Sequence, residues 1–304
     1  MNRGFTYTNL IDADAAGETV LSFYVGRYPH SSEAEWRERI RTGAIRLDGV
    51  RVTADAVLRA GHLLSYTREP WVEPSVPRTF DVIYEDHHVL AVDKPSGLPV
   101  LPSGHHLEHT LLTLVREQFG GEVAPSPLHR LGRGTSGIVL FARTRSALRR
   151  LTTAFTERRI VKIYRALVEG VGIPADDTII DTPIGRVDYA PIGKLYAAAS
   201  DGAPSTSICR LLREDHERCE SLVEVRIVTG RPHQIRIHMA AIGHPLVGDP
   251  LYVSGGGPVS ASTRERAPLP GDCGYLLHAT RLSFSHPETG TLVDLFSSPP
   301  RELQ

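Results

Sequence analysis

Cysteine is scarce: Cys209, Cys219 and Cys273 are the three in 304 residues, and none stands in C-x-x-C spacing, which excludes a disulfide framework and a thiolate zinc cluster. Lysine is equally rare, with only Lys94, Lys162 and Lys194 against 31 arginines. No uninterrupted apolar run is long enough to cross a bilayer. The first twenty residues scatter Asp12, Asp14 and Glu18 among small residues and lack the apolar stretch of a signal peptide. No H-E-x-x-H spacing links the histidines, although His105, His106 and His109 cluster and His233 and His238 share an expected helix. The G-T-S-G run at residues 134–137 lacks the G-x-S-x-G elbow of a serine hydrolase. The scarce cysteines fit a reducing cytoplasm, and the histidine spacing gives a metal site little weight.

A hydrophobic content of 41% and a charged content of 23% are those of a globular chain, with length for one large domain or two ordinary ones. The net charge of −1 conceals segregation. Residues 128–165 hold ten basic residues against Glu157 alone, a local +9 that leaves −10 elsewhere. A polyanion such as RNA would meet one attractive region on a repulsive body. A solvated, arginine-rich helix would give the same run, so charge alone does not decide.

Pro70, Pro74 and Pro77 mark residues 69–80 as an extended linker. Upstream, residues 1–15 are expected to be a tail and 16–68 a small basic module. Residues 33–40 have helical character there, and Gly43, Asp48-Gly49 and Gly61 punctuate short strands. Downstream, residues 81–93, 137–142 and 222–228 have strand character. A helix after Thr144 should bury Leu148, Leu151 and Phe155, and Pro232 suits the first turn of a helix toward Ile242. Residues 254–271, rich in Gly, Ser and Pro, have the composition of a mobile insertion. The class is α+β, with a mixed, largely antiparallel sheet in a domain over residues 81–304.

The nonapeptide H-R-L-G-R-G-T-S-G at residues 129–137 resembles the signature loop of the RluA family of RNA pseudouridine synthases. Four further blocks follow in that family's order: residues 82–100, K-I-Y-R-A-L-V at 162–168, TGRPHQIRIHMAAIGHPLVGDPLY at 229–252 and LLHATRLSFSHP at 276–287. Residues 16–68 resemble the αL-type, ribosomal S4-like RNA-binding domain that often precedes this fold. The resemblance implies isomerisation of uridine to pseudouridine in structured RNA, with rRNA or tRNA as substrate and the nucleotide flipped into a pocket. It implies no cofactor, no membrane, no obligatory protein partner and a monomer. It makes Tyr164 and Arg231 the catalytic residues: Tyr164 to stack on the flipped uracil and serve in proton transfer, Arg231 to pair with the family's aspartate. RNA contact falls to His129, Arg130, Arg133, Arg143, Arg149 and Arg150, with Arg37 and Arg41 in the small module.

One position departs from the family pattern. The catalytic aspartate that follows H-R-L is here Gly132, which has no side chain to act as nucleophile or base. Three readings stay open. The carboxylate has moved to Asp86, Asp93, Asp181, Asp188 or Asp249; or the chain is an inactive RNA-binding or ribosome-assembly factor; or RNA or water assists.

Overall fold

The computed structural model describes residues 1–120, 124–260 and 266–304. The chain divides into two compact units, one comprising Met1–Glu73 and Tyr189–Gly193, the other Pro74–Asp188 and Lys194–Gln304.

The smaller unit contains β1 (Phe5–Leu10), α1 (Val20–Arg27), α2 (Glu33–Arg41), β2 (Ile45–Leu47), β3 (Val50–Arg51) and β4 (Leu63–Arg68), with an antiparallel sheet ordered β1-β4-β2-β3. Both helices begin at capping boxes, Thr19 with Ser22 and Ser32 with Glu35, so their first N–H groups are met locally. Asp48 and Gly49 both take positive φ, as the two-residue turn joining β2 to β3 requires. Trp36 stacks on Tyr24 with ring centres 4.6 Å apart and anchors the core. The expected tail is corrected: residues 5–10 pair along β4, and Ile11 and Ala15 are buried in the core. The linker is extended without helix or strand, and the boundary between units falls inside it, after Glu73.

The larger unit contains β5 (Asp81–Glu85), β6 (Val89–Lys94), α3 (Leu111–Phe119), β7 (Ser126–Pro127), β8 (Ser136–Ala142), α4 (Arg145–Thr156), β9 (Val161–Glu169), β10 (Thr178–Ile180), β11 (Ile184–Tyr189) up to Asp188, β12 (Gly193–Ala198) from Lys194 on, β13 (Ser207–Asp215), β14 (Glu220–Ile227), α5 (Gln234–Ala241), β15 (Leu277–Ser285) and β16 (Leu292–Phe296). The main sheet runs β10-β13-β14-β9-β15-β8-β6-β5, with β16 beside β15 and β7 beside β8, while β11 and β12 form a separate pair. β15 and β8 are parallel and the other neighbouring strands of this sheet antiparallel, so the sheet is mixed and largely antiparallel. Its central strands are buried on both faces: Leu90, Val92, Val139 and Phe141 enter one core, and Val89, Ala91, Ile138 and Leu140 the other. Two-sided burial explains why β6 and β8 are nearly continuous apolar runs.

Three local expectations change. Residues 81–93 form a hairpin rather than one strand, because the Asp86 carboxylate accepts N–H bonds from His88 at 2.7 Å and Val89 at 2.8 Å and turns the chain. α5 starts at Gln234, with His233 as N-cap at φ +56°, so Pro232 precedes the helix instead of opening it. α4 buries Ala147, Leu151 and Ala154, with Leu148 and Phe155 half-buried. Residues 261–265 of the expected insertion lie outside the described residues.

Candidate active site

A cavity of about 570 Å³ opens where the loop between β7 and β8 meets β9, the segment leading into α5, and Tyr275 with Leu277. The loop is fastened from behind. Lys94 is fully buried, and its ammonium donates to the carbonyls of Leu98 (2.7 Å), Pro95 (2.8 Å) and Arg133 (3.3 Å). Burial pushes the Lys94 pKa down to about 7. Gly97 N–H also donates to the Arg133 carbonyl, and the Ser96 hydroxyl to that of Gly134. His129 Nε2 accepts the Leu140 N–H at 3.1 Å, and burial, with Lys162 adding to it, lowers its pKa to about 3. His129 is therefore a neutral clamp on the loop rather than a cationic phosphate contact.

The opposite wall is fixed by Gln234. Its Oε1 accepts from Thr229 Oγ1 (2.7 Å) and Arg231 N–H (3.0 Å), and its Nε2 donates to the Thr206 carbonyl and Ser207 Oγ at 2.9 Å each. The Arg231 side chain is exposed at the cavity, reaches only the Pro204 carbonyl at 3.4 Å, and has no ion pair among the described residues. The guanidinium behind the wall is Arg236. It forms a bidentate pair with Asp249 at 2.6 and 2.7 Å, the two side chains only 2% and 1% exposed, and lies 4.2 Å from the centre of the Tyr275 ring. Tyr164 projects from β9 into the same cavity, and burial raises its phenol above the usual range.

The structure thus brings His129, Arg130, Tyr164 and Arg231 to one cavity, joined by Arg158 and Lys162 from the basic run. It takes the other expected RNA contacts elsewhere. Arg133 donates to the Gly271 carbonyl at 2.7 Å. Arg143 bonds Glu85 and the Asp86 carbonyl, each at 2.6 Å. Arg149 and Arg150 are exposed on α4, and Arg150 approaches Glu288 at 3.6 Å. In the smaller unit Arg37 pairs with Glu33, and Arg41 with Glu38.

Among the described residues no carboxylate lines the cavity. Asp86 serves the β5–β6 turn, Asp93 accepts from Ser297 at 2.6 Å, Asp188 pairs with Lys194, and Asp249 is held by Arg236; neither these nor Asp181 faces the opening. What stands before Gly132 is Tyr275, which the sequence reading missed. A Cβ on Gly132 would lie 2.7 Å from Tyr275 Oη, and one on Gly134 would lie 3.0 Å from Cε1 and Cζ of the same ring. The signal was two closely spaced glycines, Gly132 and Gly134, which leave room for a side chain from another segment.

A family model described as RNA pseudouridylate synthase matches residues 88–241. A Synechocystis sp. protein named as an uncharacterized RNA pseudouridine synthase is 43% identical over 93% of this chain and 95% of its own length. Ribosomal large subunit pseudouridine synthase D of Pseudomonas aeruginosa is 31% identical over 91% of this chain and 87% of its own. The solved structure of human RNA pseudouridylate synthase domain containing 1 superposes with a TM-score of 0.58 at 27% identity, covering 77% of this chain and 89% of that one.

Proposed function

The chain belongs to the RluA-type RNA pseudouridine synthase family, an isomerase family acting on uridine in RNA, and from that membership we propose how its cavity does so. The single observation that carries the reading is the convergence of Tyr164 with five cations, Arg130, Arg158, Lys162, Arg231 and Arg236, on one cavity of nucleotide size. A uridine flipped from structured RNA stacks its uracil on Tyr164, and the exposed cations hold flanking phosphates. Nothing redox is needed, because substrate and product are isomers. The relatives carry the names of enzymes, so the alternative of a factor that binds RNA without turnover gains no support. Gly132 stands in this reading at the position where the family carries its aspartate.

Ribosomal RNA is the proposed substrate, supported by relatives named for the large ribosomal subunit, with tRNA as the competing outcome. The smaller unit is proposed as an S4-like module that adds phosphate contacts through Arg37 and Arg41, both strongly exposed beside their glutamates. The chain is proposed to act as a cytoplasmic monomer; its three free cysteines suit a reducing compartment, and no described helix is long and apolar enough to cross a membrane. The test is to map pseudouridine in rRNA and tRNA from cells lacking the gene and from cells complemented with it. One or more sites should vanish and return in rRNA; an unchanged map would refute the proposal.

A further inference from the structure

Isomerising uridine breaks the bond from C1′ to N1, and the departing uracil must gain a proton at N1 and later lose one from C5. The cavity supplies no carboxylate for this among the described residues. Of its titratable groups, the His129 ring is engaged by Leu140, His233 bonds Tyr252 Oη at 2.7 Å, and the Lys162 ammonium, 5.8 Å from the centre of the Phe155 ring, is a cation suited to phosphate. Two phenols remain, Tyr164 and Tyr275.

Their surroundings differ. Tyr275 is 4% exposed, its hydroxyl occupies the space that any side chain at Gly132 would need, and Thr135 Oγ1 lies 3.3 Å from it. The Arg236 guanidinium stands over its ring at 4.2 Å and is itself locked by Asp249, so a fixed positive charge is ready to stabilise a phenolate. Among the described residues no cation stands over the Tyr164 ring.

We propose that Tyr275 is the catalytic acid and base of this site, standing where Gly132 leaves room for it; this rests on the uridine-isomerising function proposed above. As the C1′–N1 bond breaks, its electron pair leaves with the uracil and the Tyr275 Oη proton passes to N1. The phenolate, steadied by Arg236, faces the cationic ribose. After the base turns, C5 bonds to C1′ and the C5 proton returns to Oη. The phenol is regenerated, and the net change is one hydrogen moved from C5 to N1. Burial raises the Tyr275 phenol, while Arg236 pulls it down, which keeps the resting group protonated as a donor must be.

The test compares wild type, Tyr275→Phe and Thr135→Val for pseudouridine formation on rRNA, with RNA affinity and thermal unfolding measured in parallel. Tyr275→Phe removes one oxygen and leaves the ring under Arg236, so it should fold and bind RNA while losing turnover by about 100-fold or more. Thr135→Val keeps the phenol and should lose less than about tenfold. An active wild type with Tyr275→Phe within a few-fold of it would overturn this inference and leave the proposed function standing. A wild type that makes no pseudouridine on any RNA would overturn both.

Discussion

Gly132→Ala isolates the packing on which the site depends. The added methyl would lie 2.7 Å from Tyr275 Oη, well inside van der Waals contact, and the hydroxyl sits at the end of a stiff, buried ring. Overpacking of this kind costs about 1–3 kcal/mol. Gly132 does not have positive φ, so alanine also gains about 0.4–1 kcal/mol through the unfolded chain. The steric term wins, leaving roughly 1–2 kcal/mol of destabilisation, or about 2–8 °C in the unfolding midpoint of a unit this size. The decisive comparison is the same substitution in a Tyr275→Phe chain. Among the described residues, its chain neighbours aside, the only other atom within 4 Å of the methyl is Thr135 Oγ1 at 3.4 Å, so without the hydroxyl Gly132→Ala should become neutral or slightly stabilising. Gly134→Ala meets ring carbons at 3.0 Å, so Tyr275→Phe should not rescue it. Thermal unfolding of the single and double variants measures the coupling. If Gly132→Ala is as stable as wild type, or is equally harmful with and without the hydroxyl, Tyr275 does not fill that space. By the same geometry, Gly132→Asp cannot simply restore a carboxylate, since it must first displace Tyr275.

Asp249→Ala would leave the Arg236 charge buried and unpaired at a cost of about 3–5 kcal/mol, whereas replacing both residues by apolar ones should cost less; urea unfolding midpoints check this. Replacing Arg130, Arg158 and Arg231 together by Ala should lower the salt dependence of RNA binding by about two to three ions, while Arg143→Ala, whose guanidinium is held by Glu85, should leave it unchanged; affinities across a salt series decide. Burial opposes ionisation of Asp86, but hydrogen bonds from Val89, Tyr84, His88 and His286 outweigh it and bring the carboxyl down to about 2. Its contribution is present above the ordinary value of 3.8 and is lost as pH falls toward about 2, so Asp86→Asn should flatten that part of the acid limb in melting temperatures between pH 5 and 2.

Features written locally were legible in the sequence. The Asp48-Gly49 turn, the alternation of Val223, Val225 and Ile227, and the Thr144 cap each depend on neighbours a few residues apart. The five family blocks likewise contribute to the walls of the candidate site or to the residues behind them. What stayed hidden was pairing across long separations. The strand at residues 5–10 has no local signal because its partner β4 lies more than fifty residues on. Arg143 looked like a phosphate contact because Glu85 meets it only when β5 and β8 are brought into the same sheet. Tyr275 follows a Gly- and Pro-rich stretch, and nothing local tells that its hydroxyl will lie against a glycine more than a hundred residues earlier. A missing side chain shows in the sequence; the group that occupies its space shows only in the fold.

The most direct measurement is tritium release from RNA labelled at C5 of uridine, incubated with the wild-type chain and with Tyr164→Ala. Wild type should liberate tritium in proportion to the pseudouridine it leaves behind, and the variant that lacks the stacking ring should liberate almost none. Retention of all the label by wild-type protein on ribosomal and transfer RNA would contradict the claim that this cavity turns a uridine over.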